Sequence, residues 1–173
     1  EALAEAEVSR QDLGAVVSTG YGRTNVPFAT KRRTEIDCHA RGAWHHVRRA
    51  ATVIDIGGQD NKVIRVDDQG RRVDFAMNRK CAAGTGSFLE EMAFWLRIPP
   101  EEFARIAEES DNPDVKIGSY CTVFAKTEIL ARVREGVKAA DLARAAFESV
   151  AKRVLETRAI TGDAWELESS AER

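Results

Sequence analysis

The central stretch of the chain, residues 51–77, contains three short runs in which hydrophobic residues predominate. The runs are rich in β-branched side chains. Two clusters of Gly, Asp, Asn and Gln, at 57–61 and 67–70, separate them. β-Branched runs broken by such clusters are typical of hairpins. The pattern therefore predicts three short strands joined by two tight turns.

Helical spacing of apolar residues dominates most of the remaining sequence. Residues 84–86 open a helical pattern that stops at Pro99-Pro100, and a later one runs from Thr122 to Gly136. Further elements are predicted as a strand at 15–17 and helices over 34–49, 101–109 and 139–158, with helical composition over 1–13. Together with the central strands, these elements predict an α/β protein.

Composition and charge exclude several classes of function. The 173 residues carry a formal net charge of −2, so no global field favours nucleic acid or a membrane. No apolar run approaches the roughly 20 residues of a membrane span. The opening sequence EALAEAEVSR lacks the apolar segment of a signal peptide. We therefore expect a cytoplasmic protein. The basic cluster at 31–33 is expected on a solvated loop or face, and an anion contact is the alternative.

The first turn of the central stretch has the residues of a phosphate site. Gly57 and Gly58 stand between Asp55 and Asp60. Glycines let backbone N–H groups approach a phosphate closely, while a flanking carboxylate can bind the Mg²⁺ that accompanies the phosphate. A second glycine-containing loop, 18–23, follows the predicted first strand and is either a ligand loop or an ordinary turn.

Two cysteines also suggest chemistry. Cys81 and Cys121 each follow a strand-like or irregular segment and precede a predicted helix. The positive end of a helix favours a thiolate or a thiolate-ligated iron–sulfur cluster. Two sulfurs are half of the ligand set of a [4Fe–4S] cluster, and a symmetric dimer would supply the other half. Two unrelated buried cysteines are the alternative.

Other ligand-type residues fall in the predicted helix at 34–49. Cys38, His39, His45 and His46 lie there, where a zinc pair is an alternative to ordinary buried or surface side chains. The chain has three cysteines and no CxxC pattern. We therefore expect neither a disulfide framework nor an all-thiolate metal site within one chain.

Five sequence motifs, in a fixed order along the chain, identify a specific resemblance to a known family. They are STGYGR at 18–23, EIDCHARGA at 35–43, VIDIGGQDNK at 53–62, MNRKCAAGTGSFLEEMA at 77–93 and YCTVFAKTEIL at 120–130. Together they resemble the BadF/BadG/BcrA/BcrD-type ATPase family, which includes 2-hydroxyacyl-CoA dehydratase activators and benzoyl-CoA reductase ATPase subunits. The resemblance covers residues 14–158. It implies an actin/Hsp70/sugar-kinase-like (ASKHA, ribonuclease H-like) fold, two α/β lobes with ATP between them.

The resemblance also implies roles for individual residues. The implied roles are catalytic for Asp55 and Gln59, nucleotide-binding for Gly57, Gly58, Asp60, Gly84, Thr85 and Gly86, and metal-ligating for Cys81 and Cys121. Close packing of a helix start is the alternative for residues 84–86. Cys38 matches a family cysteine that does not bind the cluster.

The function implied by the resemblance is ATP-gated electron transfer. A reduced ferredoxin or flavodoxin would load one electron onto a [4Fe–4S] cluster shared by a homodimer or a heterodimer of related subunits. Mg-ATP would then drive its transfer to a CoA-thioester dehydratase or reductase. The first alternative is a non-catalytic dimerisation module, bridged by iron–sulfur or zinc. The second is a sugar or acyl kinase with incidental cysteines.

The sequence departs from the family pattern in two places. No upstream D-x-G-S-type hairpin precedes Ser18, and the downstream Gly-Gly turn for adenosine is absent after about Ala164. We therefore expect a truncated or disrupted member with an incomplete first lobe and most of the second. Its expected parts are residues 1–50 of the N-terminal lobe, 51–160 as the second lobe, and a divergent polar tail at 161–173. Cluster binding is a firmer expectation than independent ATP hydrolysis.

Overall fold

The chain alternates short strands with helices, in agreement with the predicted α/β class. The computed structural model describes residues 2–78, 82–118 and 121–159. Its helices are α1 (Ala2–Glu5), α2 (Glu35–Val47), α3 (Gly86–Leu96), α4 (Pro100–Glu108), α5 (Thr122–Arg134) and α6 (Ala139–Ala159). Its strands are β1 (Val17–Ser18), β2 (Lys31–Arg32), β3 (Ala51–Ile56), β4 (Asn61–Val66) and β5 (Arg72–Asn78).

The three central strands form one sheet in the order β3-β4-β5. This confirms the predicted meander. β4 lies in the middle, and its Val63, Ile64 and Val66 are at most 2% exposed. The two-residue strands β1 and β2 form a separate parallel pair.

The chain divides into two compact units. Unit 1 contains the residues up to Ala51 together with 65–73. Unit 2 contains residues 52–64 and the chain from Asp74 onward. The first turn of the meander belongs to unit 2 and its second turn to unit 1. The lobes expected at 1–50 and 51–160 stay a prediction, and the tail at 161–173 lies outside the described residues.

One hydrophobic core organises unit 2, and helices α3, α4, α5 and α6 build it. Its buried members are Phe88, Met92, Ala93, Ile98, Phe103, Ala107, Ala125, Ile129, Leu142, Ala143, Ala146 and Val150. Helix α6, predicted over 139–158 from the helical spacing of its apolar residues, supplies the last four. Leu155 on the same helix is 50% exposed. Removal of this apolar surface from water, at about 25 cal/mol per Å², is the main source of stability for the helical layer.

Helix α2 in unit 1 is fixed at its start and along one side. Thr34 accepts a hydrogen bond from the Asp37 N–H, and its hydroxyl donates to Asp37 Oδ2 at 2.7 Å. Arg72 on β5 donates to Asp37 Oδ1 at 2.6 Å. Trp44 donates its indole N–H to the carbonyl of Asp68 at 3.0 Å. The second turn of the meander therefore rests on α2.

The helices predicted from residue 34 onward hold to within a few residues. Of residues 1–13, only Ala2–Glu5 forms an α-helix and Arg10–Asp12 a single 3-10 turn, so most of the helical prediction for that segment is wrong. The N-cap residue of α5 is Cys121. In the described part of the chain, no helix combines the length and the apolar composition that a membrane crossing needs.

Asp37 gives a prediction about acid stability. The hydrogen bond from Arg72, and next that from Thr34, hold the pKa of Asp37 below its ordinary value. The folded protein then binds fewer protons at this group than the unfolded chain. Its stabilisation is present above the unfolded-state pKa, about 3.9, and is lost as the pH falls through the lower folded-state value.

We expect Asp37→Asn to lower the free energy of unfolding at pH 7 and to have little effect once the pH falls below the folded-state pKa. Urea unfolding of both proteins between about pH 7 and 2.5 measures this. Asp114→Asn, an exposed loop residue of unit 2, is the matched control. A difference between Asp37→Asn and the wild type that stays constant over the whole pH range would contradict the expectation.

Candidate functional site

The turn between β3 and β4 is held by backbone hydrogen bonds on two sides. Across the turn, the Gly57 N–H donates to the carbonyl of Asp60 at 2.8 Å. The carbonyls of Gly57 and Gly58 accept hydrogen bonds from the N–H groups of Gly86 and Ser87, each at 2.9 Å. The first N–H groups of a helix have no partners within the helix. The turn predicted to bind phosphate therefore supplies hydrogen-bond acceptors for the first N–H groups of α3.

The tip of this turn is open to solvent. Gly58 and Gln59 are exposed. A Cβ built on Gly58 would meet only Ser87 Oγ, at 4.0 Å, whereas a Cβ on Gly57 would lie 3.1 Å from the Asp60 carbonyl. The shape of the turn explains glycine at 57. Packing within the protein does not require glycine at 58, where an accessible backbone suits the close approach of a phosphate.

The two carboxylates beside the turn share one buried lysine. Lys62 on β4 has a side chain that is 5% exposed, with Nζ 2.5 Å from Asp60 Oδ1 and 3.2 Å from Asp55 Oδ2. Burial acts to lower the pKa of Lys62, and the hydrogen bonds to Asp60 and Asp55 more than offset it, so this pKa is raised. The ammonium is thus charged at neutral pH, and it lies between the carboxylates expected to address Mg²⁺.

Residues 84–86 are packed against protein. Gly84 has φ +85°, and a Cβ there would lie 2.7 Å from Cγ of Arg153. Thr85 is fully buried, precedes the first residue of α3, and donates its hydroxyl to the Ala82 carbonyl. A Cβ on Gly86 would lie 3.4 Å from Cα of Gly58. Close packing accounts for these residue types, and their contact with nucleotide stays a prediction.

A buried asparagine, absent from the sequence-based site, connects this segment to α6. Asn61 is 0% exposed, and its amide donates to the Gly84 carbonyl at 3.0 Å. Thr157 on α6 donates its hydroxyl to Asn61 Oδ1 at 3.4 Å. The hint in the sequence was a polar residue that follows a turn and begins a strand whose Val63, Ile64 and Val66 are apolar.

Cys121 lies at the start of a helix, as expected. It is a free, partly buried thiol at the N-cap of α5, and its carbonyl accepts the Ala125 N–H at 2.9 Å. Gly118, three positions earlier, is held on α5, because its N–H donates to both carboxylate oxygens of Glu128 at 3.1 Å. A thiol at a helix start suits an iron–sulfur cluster. Cys81 lies outside the described residues.

The alternative zinc residues on α2 have other contacts. The Cys38 thiol donates to the Thr19 hydroxyl oxygen at 3.4 Å, and Arg48 donates to His45 Nδ1 at 3.1 Å. Within 2–78, 82–118 and 121–159, no three His, Cys, Asp or Glu side chains come together as a group that could hold a metal ion.

Solved structures share this architecture. Component A of (R)-2-hydroxyglutaryl-CoA dehydratase from Acidaminococcus fermentans superposes with a TM-score of 0.84 at 39% identity, over 95% of this chain and 63% of that one. The activator of the 2-hydroxyisocaproyl-CoA dehydratase from Clostridium difficile, with bound ADPNP, gives 0.82 at 40% identity, over 96% and 61%. The fold is that of the actin/Hsp70-like ATPases, as predicted.

The profile of the BadF/BadG/BcrA/BcrD ATPase family matches residues 1–166, and the chain belongs to this family. The 2-hydroxyisocaproyl-CoA dehydratase activator of Clostridioides difficile is 46% identical over 147 residues, 85% of this chain and 55% of that protein. The predicted family is therefore confirmed. The chain spans a little more than half the length of this relative.

Glycine 84 provides a test of the packing around the site. We expect Gly84→Ala to lower the free energy of unfolding by about 1–3 kcal/mol, because a methyl group would collide with Arg153 in an unfavourable backbone conformation. Gly42→Ala is the matched control. Nothing lies within 4 Å of a Cβ at Gly42, in the interior of α2, so this change should stabilise by about 0.5–1 kcal/mol.

Denaturant unfolding of both variants measures these changes. Equal, small effects of the two substitutions would show that residue 84 is not confined by its neighbours. The sign of the difference between the variants is the decisive quantity, because both changes add one methyl group to a glycine.

Proposed function

We propose that this protein is an ATP-dependent activator that delivers one electron, from a [4Fe–4S] cluster shared by two subunits, to a CoA-thioester dehydratase or reductase. Membership of the family and the names of its relatives support this function. The observation that carries it is the pair of hydrogen bonds from Gly86 and Ser87 to the carbonyls of Gly57 and Gly58. They join the proposed nucleotide turn to the helix that follows a proposed cluster cysteine.

The nucleotide would be held at the first turn of the meander. The exposed backbone at Gly58 and Gln59 faces solvent, where phosphate oxygens can approach N–H groups. Asp55 and Asp60 supply the carboxylates for a phosphate-bound Mg²⁺ and its water. Gln59, which is exposed at the tip of the turn, would orient an attacking water. The relative with bound ADPNP supports nucleotide binding in this family.

The cluster would be held by Cys121 and Cys81, with the same two residues of a second subunit. When bound, it supplies a one-electron carrier. Two apolar side chains near Cys121 in the sequence support an interface there, since Val123 and Phe124 are 69% and 68% exposed. They follow Cys121 by two and three positions at the start of α5, so an interface at Cys121 would cover them.

The coupling between nucleotide and cluster would be mechanical. A shift of the turn carbonyls must either move the first residues of α3 or break two hydrogen bonds. Residues 82–85 connect that helix start to Cys81. ATP hydrolysis at the turn would therefore change the surroundings of Cys81 through a few bonded residues, which is the two-state linkage that gated transfer needs.

The partners follow from the proposed chemistry. A ferredoxin or flavodoxin would supply the electron, and a CoA-thioester dehydratase or reductase would receive it. The relatives named as dehydratase activators support the second partner. The subunits would form a homodimer or a heterodimer of related chains.

A dimerisation module without ATP turnover is the second candidate. It is favoured by residues 84–86, whose glycines and threonine are explained by packing alone. Under this candidate the two cysteines still bridge two chains, and the turn serves only to complete α3.

Anaerobic reconstitution with iron and sulfide tests the cluster. We expect about four irons per pair of chains, with loss of most iron in Cys81→Ala and in Cys121→Ala. Cys38→Ala is the control and should retain its iron, because this thiol contacts Thr19. Iron analysis and the mass of the assembly give the readout. Iron that survives both cysteine substitutions would rule out the shared cluster.

Replacement of one carboxylate separates the two candidates. We expect Asp55→Asn to reduce ATP hydrolysis by about 100-fold or more, because the site loses charge where Mg²⁺ and the developing phosphate charge are held. Asp37→Asn makes the same chemical change on α2 and should hydrolyse ATP at the wild-type rate. No hydrolysis and no ADPNP binding by the wild type would favour the dimerisation module.

A further inference from the structure

Lys62 is a buried cation that neither the family resemblance nor the sequence patterns singled out. It lies on β4 directly after Asn61. Successive residues of a strand point to opposite faces. Asn61 reaches the carbonyl of Gly84, and Lys62 reaches the carboxylates of Asp55 and Asp60.

The geometry makes Lys62 an internal counterion for the turn. Its ammonium contacts one carboxylate before the two glycines and one after them. Taking a charged ammonium out of water is costly unless it is paired. With a side chain only 5% exposed, Lys62 is therefore held in place by these carboxylates, and it in turn holds the two ends of the turn together.

The charge balance of the three groups has a consequence for metal binding. The Lys62 ammonium lies within a few ångströms of both carboxylates. A divalent cation that arrived alone at these carboxylates would come close to this positive charge. A divalent cation that arrives with a nucleotide brings the negative charge of the phosphates as well. Repulsion from the Lys62 ammonium thus opposes a cation that arrives alone, whereas the same ammonium attracts the phosphates that accompany a nucleotide-bound cation.

We propose, resting on the function proposed above, that Lys62 makes divalent-cation binding at Asp55 and Asp60 conditional on nucleotide phosphate. Lys62 acts as a positioning and specificity residue. Its positive charge weakens the binding of free metal to the two carboxylates. It also fixes their positions, so that metal already bound to phosphate meets them in a constant arrangement.

Lys62→Met removes the charge and keeps the length of the side chain. We expect this variant to bind Mn²⁺ alone about tenfold tighter or more than the wild type, since the repelling charge is gone. The affinity for Mn²⁺ in the presence of ADPNP should change much less. Electron paramagnetic resonance of free Mn²⁺ measures both affinities without reference to activity.

Two further lysine variants serve as controls. Lys138→Met removes an exposed lysine paired with Asp111 and should leave Mn²⁺ binding at the wild-type level. Lys62→Arg keeps the positive charge and should keep binding of Mn²⁺ alone weak. Lys62→Gln, a neutral but polar replacement, gives the same test if Lys62→Met does not fold. Circular dichroism establishes folding for each protein.

The outcomes separate this inference from the proposed function. If folded Lys62→Met and Lys62→Gln bind Mn²⁺ alone no tighter than the wild type, the role of Lys62 is overturned, whatever the nucleotide does. If neither wild type nor variants bind ADPNP, the proposed function fails. Tighter binding of Mn²⁺ alone in the neutral variants would then still support Lys62 as the group that excludes free metal.

Discussion

The attachment of the first meander turn to the start of α3 is the constraint on which the candidate site depends. A helix start usually satisfies its N–H groups with a capping side chain or water. Here Thr85 makes no capping hydrogen bond to the helix, and its hydroxyl donates to Ala82 instead. The carbonyls of Gly57 and Gly58 take over that role. A displacement of the turn must therefore either move the start of α3 with it or break these hydrogen bonds.

The buried polar groups behind the turn reinforce this attachment. Asn61 donates to Gly84 and accepts from Thr157, so β4, the segment before α3 and the end of α6 share one set of hydrogen bonds. A buried amide without partners would cost about 1–3 kcal/mol. Any movement of the turn large enough to break these contacts would carry such a cost. The turn and α3 are therefore expected to move together between a few hydrogen-bonded positions.

The meander, the long helices and Cys121 as a residue before a helix were all predictable from sequence. Strand runs between Gly/Asp clusters and the stripe of α6 are local patterns, and local patterns determine local structure. The roles of Asn61 and Lys62 were not predictable, because Asn61 reads as part of the turn cluster and Lys62 as an ordinary polar residue after it. Asn61 contacts a group 96 positions away in sequence. The partners of Lys62 are close in sequence, but its burial between them is not encoded by periodicity.

The two cysteines, Cys81 and Cys121, stand at different distances from the helices that follow them. From the sequence, each cysteine precedes a predicted helix, and the same electrostatic setting is expected for both. In fact α3 begins at Gly86, five positions after Cys81, and its first N–H groups are occupied by the turn. Helix α5 begins directly after Cys121, which is itself the cap. The positive end of α5 is therefore available to the Cys121 sulfur, whereas the positive end of α3 is directed at the turn carbonyls. In the proposed activator, the positive end of α5 would stabilise a thiolate at Cys121. Cys81 would instead be connected, through residues 82–85, to the helix start that is bonded to the nucleotide turn.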